Sequence, residues 1–183
     1  MLVVMAGLPA AGKSAVAEGL ARALGCAVLP VDPVEAAMWR AGVGRDQPTG
    51  LAAYVVVEAL AAEQLALGHD VIVDAVNAVE PAREQWRGLA GRTGSVLRFI
   101  EVRCSDQGEH RRRLEGRVRG IAGLAEPSWD SVQARRAGFD GWLDDRLVLD
   151  SMASLDENVQ RAVDDVAVFS ETARARGPGG HDE

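Results

Sequence analysis

The chain has 183 residues and a mass of 19.4 kDa, which is enough for one domain with its own hydrophobic core. Apolar residues make up 48% and charged residues 26% of the sequence, a balance that excludes a disordered or fibrous protein. The net charge of −7 argues against a general nucleic-acid binder, and no uninterrupted apolar run approaches 18 residues. We therefore expect a soluble, cytoplasmic protein that does not bind a membrane.

Apolar runs alternate with helical patterns along the chain, which is typical of a parallel sheet with helices on both faces. The predicted strands cover residues 2–6, 28–31, 71–73, 96–102 and 147–149. Helices are predicted from about residue 13, over 34–41, 51–67, 81–92 and 106–119, after Pro127, and from a Ser154-x-x-Glu157 capping box to about residue 174. The pattern predicts an α/β fold in a single domain over residues 1–176, followed by a disordered tail at 177–183.

The segment after the first strand reads Gly7-Leu-Pro-Ala-Ala-Gly12-Lys13-Ser14 and fits the pattern G-x-x-x-x-G-K-[ST] at every required position. It follows an apolar strand and opens a helix, which is the context in which this motif binds nucleotide phosphates. Glycine allows the backbone to approach a phosphate closely, and the helix N-terminus favours an anion there. The segment therefore predicts a P-loop NTPase fold that binds ATP.

The composition adds a second argument at this motif, because Lys13 is the single lysine of a chain with 20 basic Lys and Arg residues. Its compact charge suits the β- and γ-phosphates, and the Ser14 hydroxyl suits Mg²⁺. The alternative is a glycine-rich turn with an incidental lysine. The residues expected to contact the nucleotide are Gly7, Pro9, Ala10, Ala11, Gly12, Lys13, Ser14 and Ala15.

Two aspartates follow predicted strands on the edge of the sheet that carries the phosphate loop: Asp32 after residues 28–31 and Asp74 after residues 71–73. Asp74 is expected to organise Mg²⁺ together with Ser14. Asp32 stands where it could accept a proton from an attacking hydroxyl. A turn or a helix cap is the alternative role for either aspartate.

These motifs resemble the P-loop kinase group, and within it the small kinases typified by chloramphenicol phosphotransferase, polynucleotide kinase and the zeta toxins. The resemblance spans about residues 1–170. It rests on the phosphate loop, Val31-Asp32-Pro33, residues 71–77, the helix with Arg83 and Trp86, and the arginine-rich segment after Cys104.

In such kinases the aspartate after the second strand is the catalytic base, and the resemblance assigns this role to Asp32. Polynucleotide 5′-kinases place an arginine three residues beyond that base. Glu35 stands at that place here, which argues against a polynucleotide acceptor.

The resemblance also makes the segment of about residues 106–137 a lid that closes over ATP. It implies that Arg113 and Arg117, which would share one helical face, neutralise charge on the transferring phosphoryl group. A solvated helix face or an RNA-binding patch is the alternative.

Glu58 is the only charged residue between positions 51 and 62. It is predicted to interrupt an apolar helical stripe formed by Leu51, Val55, Ala62 and Leu65. A carboxylate on such a face needs a partner, either an arginine of another helix or a polar group of the acceptor. The residues expected to face the acceptor are Asp32, Glu58, Asp74 and Asn77.

We therefore expect a Mg²⁺-ATP-dependent kinase that phosphorylates an alcohol group of a small molecule, a metabolite or an antibiotic-like compound. Lys13, Asp32, Arg113 and Arg117 would be the catalytic residues. The alternatives are a kinase acting on nucleic-acid ends or nucleotide sugars, and a non-catalytic ATP-binding switch. A homodimer is one option for the assembly.

Overall fold

The computed structural model describes residues 1–117 and 126–175, with side chains up to residue 172. Within these residues, five strands form one sheet: β1 (Leu2–Ala6), β2 (Ala27–Pro30), β3 (Val71–Asp74), β4 (Leu97–Arg103) and β5 (Arg146–Asp150). Their order is β2-β3-β1-β4-β5, and every neighbouring pair is parallel. This confirms the predicted five-stranded parallel sheet. The predicted tail at 177–183 and the middle of the predicted lid lie outside the described residues.

Seven described helices flank the sheet: α1 (Lys13–Leu24), α2 (Val31–Arg40), α3 (Thr49–Ala66), α4 (Glu80–Thr93), α5 (Gln107–Glu115), α6 (Trp129–Arg136) and α7 (Leu155–Ala175). A 3₁₀ turn, Ala137–Phe139, follows α6. Helices α1 and α7 pack together on one face of the sheet, whereas α3 packs with α2 and α4 on the other.

Strand β1 lies in the middle of the sheet and supplies both halves of the core. Leu2 and Val4 face α3 and α4, whereas Val3 and Met5 face α1 and α7. Successive side chains of a strand point to opposite faces, so an apolar run without alternation is needed where helices cover both. The loop that follows β1 is therefore held at its root by a strand buried at every position.

Helix α2 begins earlier than the sequence predicts. Val31 and Asp32 belong to its first turn, so the predicted strand at 28–31 is wrong at its last residue. Pro33 lies within that turn, where a proline is tolerated because the first N–H groups of a helix have no acceptor inside it. Asp32 is consequently held on a helix rather than in a turn between elements.

The buried stripe of α3 is also different from the predicted one. Its buried residues are Thr49, Ala53, Val57, Ala61 and Leu65. Leu51 and Val55 of the predicted stripe are 66% and 53% exposed. Among the described helices, α3 alone is long and apolar enough to cross a membrane by length and composition, and 22% of it is buried.

The last helix begins as predicted. The Ser154 hydroxyl accepts a hydrogen bond from the backbone N–H of Glu157 at 3.2 Å, which satisfies one of the free donors at the start of α7. This part of the predicted capping box is confirmed.

Candidate functional site

The phosphate loop, residues 7–12, joins β1 to α1 at the carboxyl edge of the sheet. Gly7 has a φ of +146°, and a Cβ added there would lie 2.4 Å from the carbonyl oxygen of Val102. Gly12 has a φ of +99°, and its Cβ would lie 3.1 Å from Cβ of Ser151. A side chain at either place would be strained by the backbone angle and crowded by β4 or the β5–α7 loop. Both positions therefore need glycine.

Lys13 at the start of α1 and Asp74 at the end of β3 meet beside this loop. Their side chains are 5% and 9% exposed, and Nζ of Lys13 lies 3.9 Å from Oδ1 of Asp74. That oxygen is buried and accepts no hydrogen bond from the described residues. A buried carboxylate oxygen costs free energy unless a donor or a cation satisfies it, so the arrangement fits a divalent cation. Ser14, the other predicted metal ligand, is the next residue of the helix and is partly exposed.

A cavity of about 240 Å³ opens in front of the loop, and we call it the phosphate cavity. It is lined by Ala10, Gly12, Lys13, Ser14, Ala15, Arg113 and Arg117. The structure thus brings the predicted lysine, the predicted hydroxyl and both predicted arginines to one space. Such a space can hold a polyphosphate between backbone N–H groups and three positive side chains.

Arg113 is held in place at the side of the phosphate cavity. Its Nε donates to Glu109 at 2.6 Å, and its Nη1 donates to the Ser151 hydroxyl at 2.8 Å. Helix α5 ends at Glu115, so the prediction that Arg113 and Arg117 share a helical face is wrong. Arg117 lies beyond the end of the helix and reaches the same cavity from there.

The other wall of the phosphate loop faces a second cavity, of about 540 Å³, toward β4 and β5. Gly7, Leu8 and Ala11 line it together with His110 of α5. Pro9 contacts this side as well, because its carbonyl oxygen lies 2.8 Å from Nε2 of His110. Of the residues predicted to contact the nucleotide, Gly7, Pro9 and Ala11 therefore have contacts on the side away from Lys13.

A buried tyrosine near both aspartates was missed by the sequence analysis. The pKa of Tyr54 is raised to about 12, mainly by burial; the hydrogen bond from the backbone of Asn77 opposes this shift, whereas the negative charges of Asp32 and Asp74 add to it. That N–H donates to the tyrosine hydroxyl at 3.3 Å. The electrostatic influence of both carboxylates indicates that Asp32, Tyr54 and Asp74 share one region beside the phosphate loop. Tyr54 is the single tyrosine of the chain, and only this rarity could have drawn attention to it.

Glu58 has protein partners on α4. Its carboxylate accepts a hydrogen bond from Nε2 of Gln85 at 2.7 Å and forms an ion pair with Arg92. Of the two alternatives for this residue, the structure places an arginine of another helix against it. The Glu58 carboxylate joins α3 to α4 in this way.

Asn77 is fully buried and uses both ends of its amide within the protein. Its Nδ2 donates to the carbonyl of Met5 at 2.8 Å, and its Oδ1 accepts from Nε1 of Trp86 at 2.9 Å. The structure therefore does not bring the Asn77 side chain to an acceptor, in contrast to the prediction. Its φ of +53° and its bond to β1 instead shape the loop after Asp74.

Arg83 secures the same loop to the end of the predicted lid segment. It is 4% exposed, and its Nη1 donates to the carbonyl oxygens of Asn77, Ala78 and Gly138 at 3.2, 3.0 and 3.1 Å. One guanidinium thus joins the β3–α4 loop to the turn after α6. Sequence patterns do not reveal such a bond between segments that are 55 residues apart.

The sheet order, the glycine-dependent loop and the buried lysine define a P-loop nucleotide-binding protein. A family model described as an AAA domain matches residues 2–138, and the chain belongs to this family. A comparison with curated proteins finds no match.

Solved structures with the same fold include small kinases. A sugar kinase from Janibacter sp. is 16% identical with a TM-score of 0.67, over 91% of this chain and 94% of that one. A gluconokinase from Sinorhizobium meliloti is 21% identical with a TM-score of 0.65, over 96% and 97%. Kti12 from Chaetomium thermophilum, in complex with ADP-AlF3, is 18% identical with a TM-score of 0.69, over 92% and 98%. The chain therefore has the P-loop kinase fold, as the resemblance implied.

Proposed function

We propose that this protein is a Mg²⁺-ATP-dependent kinase that transfers the γ-phosphoryl group of ATP to a hydroxyl of a small molecule. One observation carries the proposal: the buried Lys13 lines a cavity together with two arginines, and its Nζ lies 3.9 Å from a buried Asp74 oxygen that accepts no hydrogen bond from the described residues. A positively lined cavity close to a buried carboxylate with an unsatisfied oxygen suits a metal-bound polyphosphate better than a neutral ligand.

The residues of the phosphate cavity would divide the work of holding ATP. Lys13 and the backbone N–H groups at the start of α1 would bind the β- and γ-phosphates. Ser14 and Asp74 would hold Mg²⁺, which would neutralise part of the phosphate charge. Arg113 and Arg117 would stabilise the charge that moves to the bridging oxygen as the bond to the γ-phosphorus breaks.

Asp32 would position and deprotonate the acceptor. A bond forms between the acceptor oxygen and the γ-phosphorus, the bond from that phosphorus to the bridging oxygen breaks, and ADP leaves. The hydroxyl proton passes to the Asp32 carboxylate. The Tyr54 hydroxyl, which remains protonated at neutral pH, is a neighbouring hydrogen-bond donor for the same acceptor.

The charge of the acceptor side supports a small molecule over a polynucleotide. Glu35, at the position where polynucleotide kinases carry an arginine, accepts a hydrogen bond from the Thr49 hydroxyl at 2.9 Å. A carboxylate there repels a phosphodiester chain, as does the net charge of −7. The sugar kinase and gluconokinase among the structures with this fold support a polyol, a sugar or a sugar acid as acceptor.

An ATP-binding protein without a small-molecule acceptor is the second candidate. The similarity to Kti12, whose structure contains ADP-AlF3, favours it. The two candidate functions differ in whether they require Asp32, because a protein that only binds ATP needs no base to deprotonate a hydroxyl.

The decisive experiment incubates the purified chain with Mg²⁺-ATP and separate pools of sugars, sugar acids, polyols and 5′-hydroxyl oligonucleotides. Mass spectrometry then identifies any phosphorylated product, with the Lys13→Met variant as the negative control. A phosphorylated small molecule that forms only with the wild-type chain supports the proposal. Phosphorylation of the oligonucleotides alone, or ATP binding without any phosphorylated product, contradicts it.

A further inference from the structure

His110 lies against the phosphate loop, on the side away from Lys13. It is 1% exposed, its Nε2 lies 2.8 Å from the carbonyl oxygen of Pro9, and its ring meets the Trp129 ring edge-to-face at 5.3 Å between centroids. A carbonyl oxygen can only accept, so Nε2 carries the hydrogen of this bond. The other ring nitrogen, Nδ1, is buried and has no partner among the described residues.

This bond acts on the Pro9–Ala10 peptide, which is trans like every other peptide of the described chain. The carbonyl and the N–H of a trans peptide point in opposite directions. Holding the Pro9 oxygen toward His110 therefore turns the Ala10 N–H away from it. His110 lines the cavity toward β4 and β5, whereas Ala10 lines the phosphate cavity.

Within residues 1–117 and 126–175, the Ala10 N–H has no hydrogen-bond acceptor. Among the described residues, no hydrogen bond is donated by this group, whereas the next residue, Ala11, donates to the carbonyl of Leu8 at 3.1 Å. Ala10 also has a left-handed φ of +64°, which is unfavourable for a residue with a side chain. An anchor is therefore needed to keep this peptide in its orientation.

We infer that His110 is a positioning residue for ATP: its Nε2–H holds the Pro9 carbonyl and thereby aims the Ala10 N–H at the phosphates. The inference rests on the proposed function only in that the ligand is a nucleoside polyphosphate. His110 itself does not touch the ligand. It acts through the orientation of one peptide, as a fixed support for the backbone donors of the phosphate loop.

The test compares substitutions that keep or remove the donor at the Nε2 position. His110→Leu removes it, His110→Gln places an amide nitrogen near the same point, and His110→Asn places one near Nδ1. ATP and inorganic tripolyphosphate are the probes, and calorimetry gives their dissociation constants. We expect His110→Leu and His110→Asn to bind both probes about tenfold more weakly, and His110→Gln to bind nearly as the wild type does.

Tripolyphosphate separates this role from a general loss of packing. If the phosphate loop binds phosphates more weakly, the affinities for ATP and for tripolyphosphate fall by the same factor, even in a variant whose thermal unfolding is unchanged. Equal affinities of the wild type, His110→Asn and His110→Gln would overturn the inference while leaving the proposed function intact. If His110→Leu does not fold, the Asn and Gln variants decide the matter. If the wild-type chain binds neither probe, the proposed function fails and the inference fails with it.

Discussion

The Nζ atom of Lys13 lies 3.9 Å from Oδ1 of Asp74, which is too far for a charge-assisted hydrogen bond, and leaves that buried oxygen unsatisfied. The two groups are therefore adjacent, but neither satisfies the hydrogen-bonding capacity of the other. Both are left with capacity for a third partner, the lysine for a phosphate and the carboxylate for a cation.

Lys13→Met keeps the length of the side chain and removes its charge. We expect the affinity for ATP to fall by about 100-fold, since a charged hydrogen-bond donor to the phosphates is lost. Calorimetry measures this change, and circular dichroism should show an intact fold. The matched control is Arg22→Met, on an exposed side chain of the same helix that pairs with Glu18. Wild-type ATP affinity in Lys13→Met would refute the assignment of the phosphate loop.

The two aspartates should respond differently to Mg²⁺. Asp32→Asn is expected to keep ATP binding and lose phosphoryl transfer by about 10²–10⁴-fold, the usual contribution of a positioned general base. Asp74→Asn should lose activity at low Mg²⁺ and regain part of it at high Mg²⁺, because a neutral amide binds the cation more weakly. A Mg²⁺ titration of the rate with both variants is the measurement. Rescue of Asp32→Asn instead would mean that the roles are exchanged.

Arg113 and Arg111 provide a matched pair on one helix. Arg113 lines the phosphate cavity, whereas the Arg111 side chain is 58% exposed and pairs with Glu115. Arg113→Gln should lower kcat more than it weakens ATP binding, because charge on the bridging oxygen develops only in the transition state. Arg111→Gln should leave both quantities unchanged. Steady-state kinetics with the true acceptor would contradict this if the two variants behaved alike.

Gly138→Ala should destabilise the protein through a contact that glycine alone permits. An added Cβ would lie 2.3 Å from the carbonyl oxygen of Ala78, which already accepts a hydrogen bond from Arg83. We expect the free energy of unfolding to fall by about 1–3 kcal/mol, as measured by urea denaturation. Gly91→Ala is the control, because it lies exposed in α4 with no atom within 4 Å of an added Cβ, and it should stabilise by about 0.5–1 kcal/mol.

His110 should make stability depend on pH near neutrality. Burial lowers the pKa of His110, and the positive charges of Arg136 and Arg113 lower it further, whereas the bond to Pro9 opposes the shift. The unfolded chain then binds this proton more readily than the folded one. The stability that the neutral His110 ring contributes is fully present above the pKa of about 6.5 that histidine has in the unfolded chain. It is lost as the pH falls through the lower pKa of the folded protein.

The measurement is the midpoint of thermal unfolding of the wild type and of His110→Gln between about pH 5 and 7.5. The wild-type midpoint should fall more steeply on acidification, because the variant lacks this proton site and keeps the carboxylates. Parallel curves would show that the His110 ring is not held neutral by its surroundings.

The parts of the fold that follow from local pattern are those that the sequence analysis predicts well. Strands β1 and β3 are short apolar runs buried at every position, and burial from both faces determines where they lie. The phosphate loop is recognised from the spacing of Gly7, Gly12, Lys13 and Ser14, which few other local structures share. The start of α2 and the buried face of α3 were predicted wrongly for local reasons. Pro33 is equally acceptable after a strand and in a first helical turn, and α3 is apolar on most of its surface.

Residue types and their spacing are sufficient to establish the parallel α/β fold, the phosphate loop and the special place of Lys13, because short-range sterics and burial decide them. The surroundings of single polar groups depend on contacts between distant segments. The sequence alone does not show that the Asn77 amide bonds to Met5 and Trp86, or that Glu58 pairs with Arg92. Nor does it show that His110 bonds to Pro9, which is 101 residues away in the chain. Hydrogen bonds act over about 3 Å, so only the packing of helices on the sheet decides which donor meets which acceptor.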